Sequence, residues 1–466
     1  MNISANFMAV ADRHFFRKLW QLALPVSLQS MMFSLLGLID ILMVGQLGET
    51  SVAAVGLGNR IFFFNLILTA ALGSGMSVLA SQFIGAGDTN GLRRTLCQAL
   101  FSSMVISLPF IALYLLFPRE ILGLASDDPE LLNQATDYLI ITAPSIVCTA
   151  IVVPLEAALR SSNDARSPTR IGFLAILVNV ALNYVLIFGA LGFPELGVAG
   201  SAWGTTLSRV FQTVVLLWFI RDSRRHLIPA RKEILAAFRK VELFRYYRIS
   251  LPMILQDGLW SFGLIVYSLI YASIGINELA VMSAISSIEA ILISLFIGFG
   301  VGCSIIIGQE LGASRFEKAW KQGWFMLLMS PVLALMIGLV LILFKSQVVS
   351  LFGQFDGNTL TIAEQVMIAS GLGLAIRVIN LVGIIGILRS GGDVGATVVI
   401  NTSAMWIVGI PLAWYAATQL GMPLYVVYIC SLCEELSKSI LVLWRVVSRR
   451  WLKNLVVPTK DQVQTQ

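Results

Sequence analysis

The chain is 466 residues long, 57% hydrophobic and only 12% charged, with a formal net charge of +6. Soluble domains carry about a quarter charged residues, so this composition excludes one and places the chain in lipid. The positive charge is gathered in loops, which makes it a topology signal with affinity for anionic lipid headgroups, not a nucleic-acid footprint.

A helix needs about 20 apolar residues to cross roughly 30 Å of hydrocarbon. Runs of that kind lie at 19–44, 52–83, 95–117, 136–159, 168–190, 197–220, 247–273, 280–308, 322–344, 364–388, 396–417 and 423–445, which predicts twelve transmembrane helices in an all-α integral membrane protein. The first run follows Arg13, Arg17 and Lys18 and is long enough to span, so it is read as a retained segment and not as a cleaved signal peptide. Cytoplasmic loops are rich in Lys and Arg. With both termini cytoplasmic, the Arg221 to Arg248 stretch and Arg445, Arg449, Arg450 and Lys453 fall inside, while only Arg119 and Lys345 fall outside. The expected location is the cell inner membrane.

Cys97, Cys148, Cys303, Cys430 and Cys433 lie in or beside apolar runs, where cysteine acts as a small hydrophobe, so no disulfide framework is expected. Cys430 and Cys433 form a lone CxxC without a second pair, which is not read as a metal site. His14 and His226 flank the membrane on the basic side.

The chain repeats itself. Leu24, Pro25, Leu28 and Gln29 align with Leu251, Pro252, Leu255 and Gln256, and the same register brings Gly73 and Gly75 onto Gly300 and Gly302, and Gln82 onto Gln309. Further on, Leu159-Arg160-Ser161 and Asp164 align with Leu388-Arg389-Ser390 and Asp393. Six helices per copy keep both halves in one orientation, so a pseudo-two-fold axis along the membrane normal is expected to relate them. The predicted organisation is a six-helix lobe at 1–220, a cytoplasmic linker at 221–246 with room for a small helix, and a second six-helix lobe with a basic tail at 247–466. Pro25 and Pro252, early in the first helix of each half, are candidate hinges or static kinks. Gly73, Gly75, Gly300 and Gly302 are expected to mark close helix contacts.

These residues resemble the multidrug and toxic compound extrusion (MATE) family, bacterial NorM- and DinF-like members in particular. The resemblance is carried by Pro25, Gln29, Asp40 and Gly45-Gln46-Leu47-Gly48, then Gln82-Phe83-Ile84-Gly85-Ala86-Gly87-Asp88 and Leu159-Arg160-Ser161. It continues through Asn179, Asn183-Tyr184 and Leu196-Gly197-Val198-Ala199-Gly200-Ser201-Ala202-Trp203 to Gln309-Glu310-Leu311-Gly312-Ala313 and Leu388-Arg389-Ser390-Gly391-Gly392-Asp393. It implies two lobes and a secondary active, alternating-access antiporter that exports organic, commonly cationic or amphiphilic small molecules against inward protons or sodium ions. It implies no enzyme activity, no cofactor and a monomer in the bilayer. Asp40, Asn179 and Asn183 match positions that the family uses for ion coupling, with Asn183 where some members have Asp. The glutamate and aspartate of the NorM-like second lobe are replaced by Trp260 and Val378. A lipid or lipid-linked oligosaccharide flippase of the same superfamily is the alternative; it would be expected to carry a basic inner cavity, and the chain has only three internal arginines, Arg60, Arg209 and Arg377.

Charge inside a bilayer is costly and needs a partner or a function. Asp40 sits roughly 7 Å below the outer end of its helix at 1.5 Å per residue. Asn179 and Asn183, four apart, share a helix face and could meet it around a proton or a sodium ion. Arg60 offers a plainer ion pair for Asp40. In the second lobe Glu289 and Arg377 are read as a salt bridge or a substrate contact, Trp260 as a possible cavity wall, and Asp257 as a secondary proton carrier or a partner of kinked backbone. Glu434 and Lys438 have the i,i+4 order of a self-compensated pair. No GxxxxGK[ST] loop is present, which favours ion-driven over nucleotide-driven transport. No metal ligand set is expected beyond possible sodium at Asp40.

Overall fold

The structure is a computed structural model that describes residues 12–350 and 357–456. Among the described residues ten helices are long and apolar enough to cross a membrane. In chain order these are α1 (Arg13–Gly45), α2 (Glu49–Gly85), α3 (Thr89–Leu116), α4 (Pro129–Ser161), α5 (Arg166–Phe188), then α7 (Lys240–Ile274), α8 (Ile276–Gly312), α9 (Phe316–Leu343), α10 (Gly357–Leu381, continued as a π-helix to Leu388) and α11 (Val394–Thr418). Two further long helices, α6 (Gly197–Ser223) and α12 (Leu424–Val447), complete the twelve. Their lower apolarity has a local cause. Helix α6 buries Ser201, Thr206, Ser208, Gln212 and Thr213, and α12 buries Glu434, Lys438 and Ser439.

Apolar side chains cover the outer surface: Leu42 is 71% exposed, Ile407 73% and Leu343 76%. Contiguous apolar surface on this scale is tolerable only against lipid. The helices also run beyond the apolar stretches that predict them. Helix α1 begins at Arg13, α4 at Pro129 and α7 at Lys240, because a backbone leaving hydrocarbon still needs its hydrogen bonds and the helix supplies them internally. The expected small helix of the linker is present at Arg231–Ala237.

The chain divides into two compact units, one of residues 28–254 and one of residues 1–27 with 255–466. The repeat boundaries at 220 and 247 therefore differ from the division by packing, which falls inside α1 and α7, just after Pro25 and Pro252. Glycine contacts explain it. A Cβ on Gly75 of α2 would stand 2.3 Å from Ser250 Oγ of α7, and one on Gly298 of α8 would stand 2.1 Å from the Ala23 carbonyl of α1. The first turns of α7 pack against α2, and those of α1 against α8. Gly73 and Gly300 likewise leave no room for a side chain, with Val153 and Leu381 at 2.8 Å, as expected of close contacts.

Candidate functional site

In the unit of residues 28–254, Asp40 of α1, Asn179 and Asn183 of α5 and Ser208 of α6 form one chain of hydrogen bonds. Asn183 Nδ2 donates to Asp40 Oδ1 at 2.8 Å and to Asn179 Oδ1 at 3.2 Å, and Asn179 Nδ2 donates to Ser208 Oγ at 3.3 Å. One helical turn separates the two amides, which is why both reach the same carboxylate side of α5. Asn183 is fully buried, and its Oδ1 has no protein hydrogen-bond partner. Gly204 of α6 stands against that atom, since a Cβ there would lie 2.0 Å from Asn183 Oδ1.

Arg60 does not join this set. It is exposed, and among the described residues Asp40 makes no ion pair within 4.0 Å. The cation whose charge acts on Asp40 is Arg209 of α6. Its guanidinium lies 5.3 Å from the Phe33 ring centroid and donates to Gln212 Oε1 at 3.0 Å. Position explains the miss: Arg209 follows Ser208 directly on a helix already packed against α5, whereas Arg60 faces outward.

Gln212 leads to a second cluster that sequence reasoning left unassigned. Glu156 of α4 accepts from Gln212 at 3.2 Å and from Gln29 at 3.1 and 3.2 Å, and is ion-paired with Arg160. Arg160 also donates to Gln29 Oε1 at 3.1 Å. The repeat held the signal, because Gln29 and Arg160 align with Gln256 and Arg389. The second unit uses those mates in a similar way: Thr397 donates to Gln256 at 2.9 Å, and Arg389 pairs with Asp257 at 2.8 Å. Asp257 is thus partnered by an arginine side chain, not by kinked backbone. The loops after α4 and α10 repeat the theme, with Asp164 bound by Arg224 at 2.7 Å and Asp393 by Arg445 at 2.6 Å. Burial opposes the charge of Asp164, but hydrogen bonds from Arg224 and from the Ser167 backbone and hydroxyl outweigh it and hold the carboxyl below its usual value.

In the second unit, Glu289 of α8 and Arg377 of α10 form a salt bridge at 2.6 Å. Tyr428 of α12 donates to Glu289 and accepts from Arg377 at 3.1 Å. Trp260 is 39% exposed and takes no part in these contacts. Lys438 pairs with Glu434, as the i,i+4 order predicts, and with Glu435 at 3.2 Å. Among the described residues no group of three or more His, Cys, Asp or Glu is placed to hold a metal ion.

Twelve long helices among the described residues, ten of them apolar enough to cross a membrane, in two repeat-related sets with ion pairs on their inner faces, define a multi-pass membrane transport protein. The chain matches the family described as MatE over residues 25–185 and again over 252–415, so each half carries its own copy. It is 25% identical to the uncharacterized transporter YisQ of Bacillus subtilis, over 95% of this chain and 96% of that protein. It is also 25% identical to a probable multidrug resistance protein NorM of Thermotoga maritima, over 96% and 95%. The crystal structure of a substituted Vibrio cholerae MATE transporter, VcmN, superposes with a TM-score of 0.85 at 17% identity, covering 97% of this chain and 99% of that one. The protein belongs to the MATE family of membrane transporters. Its fold is the twelve-helix, two-lobe arrangement of that family.

Proposed function

We propose that this transporter exports organic, cationic or amphiphilic small molecules in exchange for protons or sodium ions entering through the Asp40 site. The observation that carries the reading is a lone carboxylate within a spanning helix, held by Asn183 and backed by an amide oxygen that lacks a partner. A proton on Asp40 turns an acceptor into a donor, and the orphaned Asn183 Oδ1 becomes its acceptor once the amide turns over. A sodium ion would be received by the same set of hard oxygens, from Asp40, Asn179, Asn183 and Ser208. Either cation neutralises Asp40 and weakens its hold on α5, so the two states favour different shapes of α1 around Pro25. That difference in preference is the coupling. Arg209 keeps the ionised state from being a bare charge in lipid.

The test is transport of ethidium by purified protein in liposomes, with the proton and sodium gradients imposed separately. Saturable movement driven by one of the two gradients is expected. Movement that needs ATP and ignores both gradients would exclude the reading.

Both termini and the linker helix are placed on the cytoplasmic side of the inner membrane, following the distribution of Lys and Arg. In sealed cells a cysteine replacing Asp128, between α3 and α4, is then expected to react with an impermeant maleimide. Labelling of the linker in its place would invert the topology.

A further inference from the structure

The two units differ in their balance of buried charge. In the first, Asp40 and Glu156 face Arg209 and Arg160, and the count is even. In the second, apart from the Asp257–Arg389 pair, three carboxylates (Glu289, Glu434 and Glu435) face two cations (Arg377 and Lys438). Glu289 holds Arg377 in a direct salt bridge, and the charge of Arg377 also reaches Glu435. Lys438, 3% exposed, is shared by Glu434, 4% exposed, and Glu435, which leaves one negative charge in excess inside a membrane-spanning bundle. Such a charge is costly in a low dielectric.

We propose that Glu434 is a proton-binding site of the second lobe, taking up a proton at Oε2 against the Tyr267 hydroxyl while Lys438 stays with Glu435. One proton from water forms one O–H bond, and the cluster passes from a charge of minus one to neutral. The neighbours decide which carboxylate takes it. Glu435 Oε2 accepts from the Asn380 amide at 2.6 Å, and an NH₂ group can only donate, so a protonated Glu435 would set donor against donor. Glu434 Oε2 accepts from the Tyr267 hydroxyl at 2.6 Å, and a hydroxyl can turn and accept. Tyr267 and Glu434 are both buried.

The groups that act on Glu434 are few: Tyr267 and Tyr271 of α7 and Lys438 of its own helix. Its neighbour Glu435 is met by Lys438 and by Arg377 and Asn380 of α10, and Arg377 in turn holds Glu289 of α8 and touches Tyr428 of α12. Helix α11 carries no charged residue and offers backbone, at the end of a π-helical stretch, Ala404–Gly409. A Cβ on Gly409 would lie 2.2 Å from the Tyr267 hydroxyl and 2.7 Å from Glu434 Oε2, so the backbone of α11 is pressed onto this hydrogen bond. Interruptions of this kind occur often at functional positions. Reversing the Tyr267–Glu434 bond changes the contact that α11 rests on, which gives the proton a mechanical consequence.

The test is infrared titration of the full chain in lipid, reading the carboxylic C=O stretch on acidification. All variants carry Asp40→Asn, so the first-lobe site is silent and the outcome does not depend on it. Exposed carboxylates cancel when the spectrum of Asp40→Asn/Glu434→Gln is subtracted from that of Asp40→Asn. A single C=O band that titrates over the pH range supporting transport is expected in that difference. A flat difference overturns the proposal. Asp40→Asn/Tyr267→Phe covers the case in which the Glu434 variant does not insert: the band is expected to persist at a shifted frequency, having lost its hydrogen-bond partner. An unshifted band places the proton elsewhere.

Discussion

Asp40→Asn protein, inserted and monodisperse like the wild type, is expected to lose gradient-driven export of an organic cation by at least a hundredfold. The substitution keeps the size of the side chain and much of its hydrogen bonding. Asn183 Nδ2 can still donate to an amide oxygen where it now donates to Asp40 Oδ1 at 2.8 Å. What is removed is the ability to hold charge in one state and a proton or sodium ion in the other. Without it no cation binds one shape of α1 better than the other, and a ligand with equal affinity for two states shifts neither. A hundredfold loss corresponds to about 2.7 kcal/mol of coupling energy, at about 1.4 kcal/mol per factor of ten. Binding of the organic cation without a gradient is expected to persist. Export by Asp40→Asn at the wild-type rate and matched expression would make Asp40 a structural residue and the proposed function wrong at its centre.

Gly204→Ala is expected to cut coupled export roughly tenfold or more while leaving Asp40 untouched. A Cβ at 204 would fall 2.0 Å from Asn183 Oδ1 and 3.2 Å from the Asn183 backbone nitrogen, and α5 and α6 are closely packed there. Either the Asn183 amide is pushed off Asp40 or the helices separate. Overpacking of this kind costs about 1–3 kcal/mol. Proteoliposome export and thermal unfolding read the two possibilities apart. Loss of export with a small change in melting temperature assigns the effect to the site, and full export would mean that the Asn183 contact is dispensable. Asn183→Ala, which removes the donor without adding bulk, is expected to weaken export in the same direction.

Much of the architecture follows from the sequence because the bilayer leaves so few choices. With no water to satisfy backbone groups, apolar runs of sufficient length must be helices. Six per repeat then give both halves one orientation, and α6 and α12 are legible as the apolar runs 197–220 and 423–445 despite their polar content. The meeting of Asp40 with Asn179 and Asn183 was also legible, because i,i+4 spacing on α5 and equal depth are properties of a helix alone.

Tertiary structure decided everything that depends on which face of one helix meets which face of another. Arg60 and Arg209 look alike as isolated cations in apolar runs, yet only the rotation of α6 against α5 and α1 puts Arg209 near the carboxylate and leaves Arg60 outside. Asp257 was legible as a charge within a span, but its partner Arg389, like the Arg160 that pairs with Glu156, sits at a helix end, where a linear reading assigns it to a loop. The sharing of Lys438 by Glu434 and Glu435 is an i,i+4 and i,i+3 property of α12 alone, but the approach of the Gly409 backbone to Tyr267 and Glu434 depends on the π-helical turns of α11, whose register no pattern of residue types in this chain announces. Periodicity along the chain specifies what each helix can offer; close packing between helices determines which of those offers is taken up.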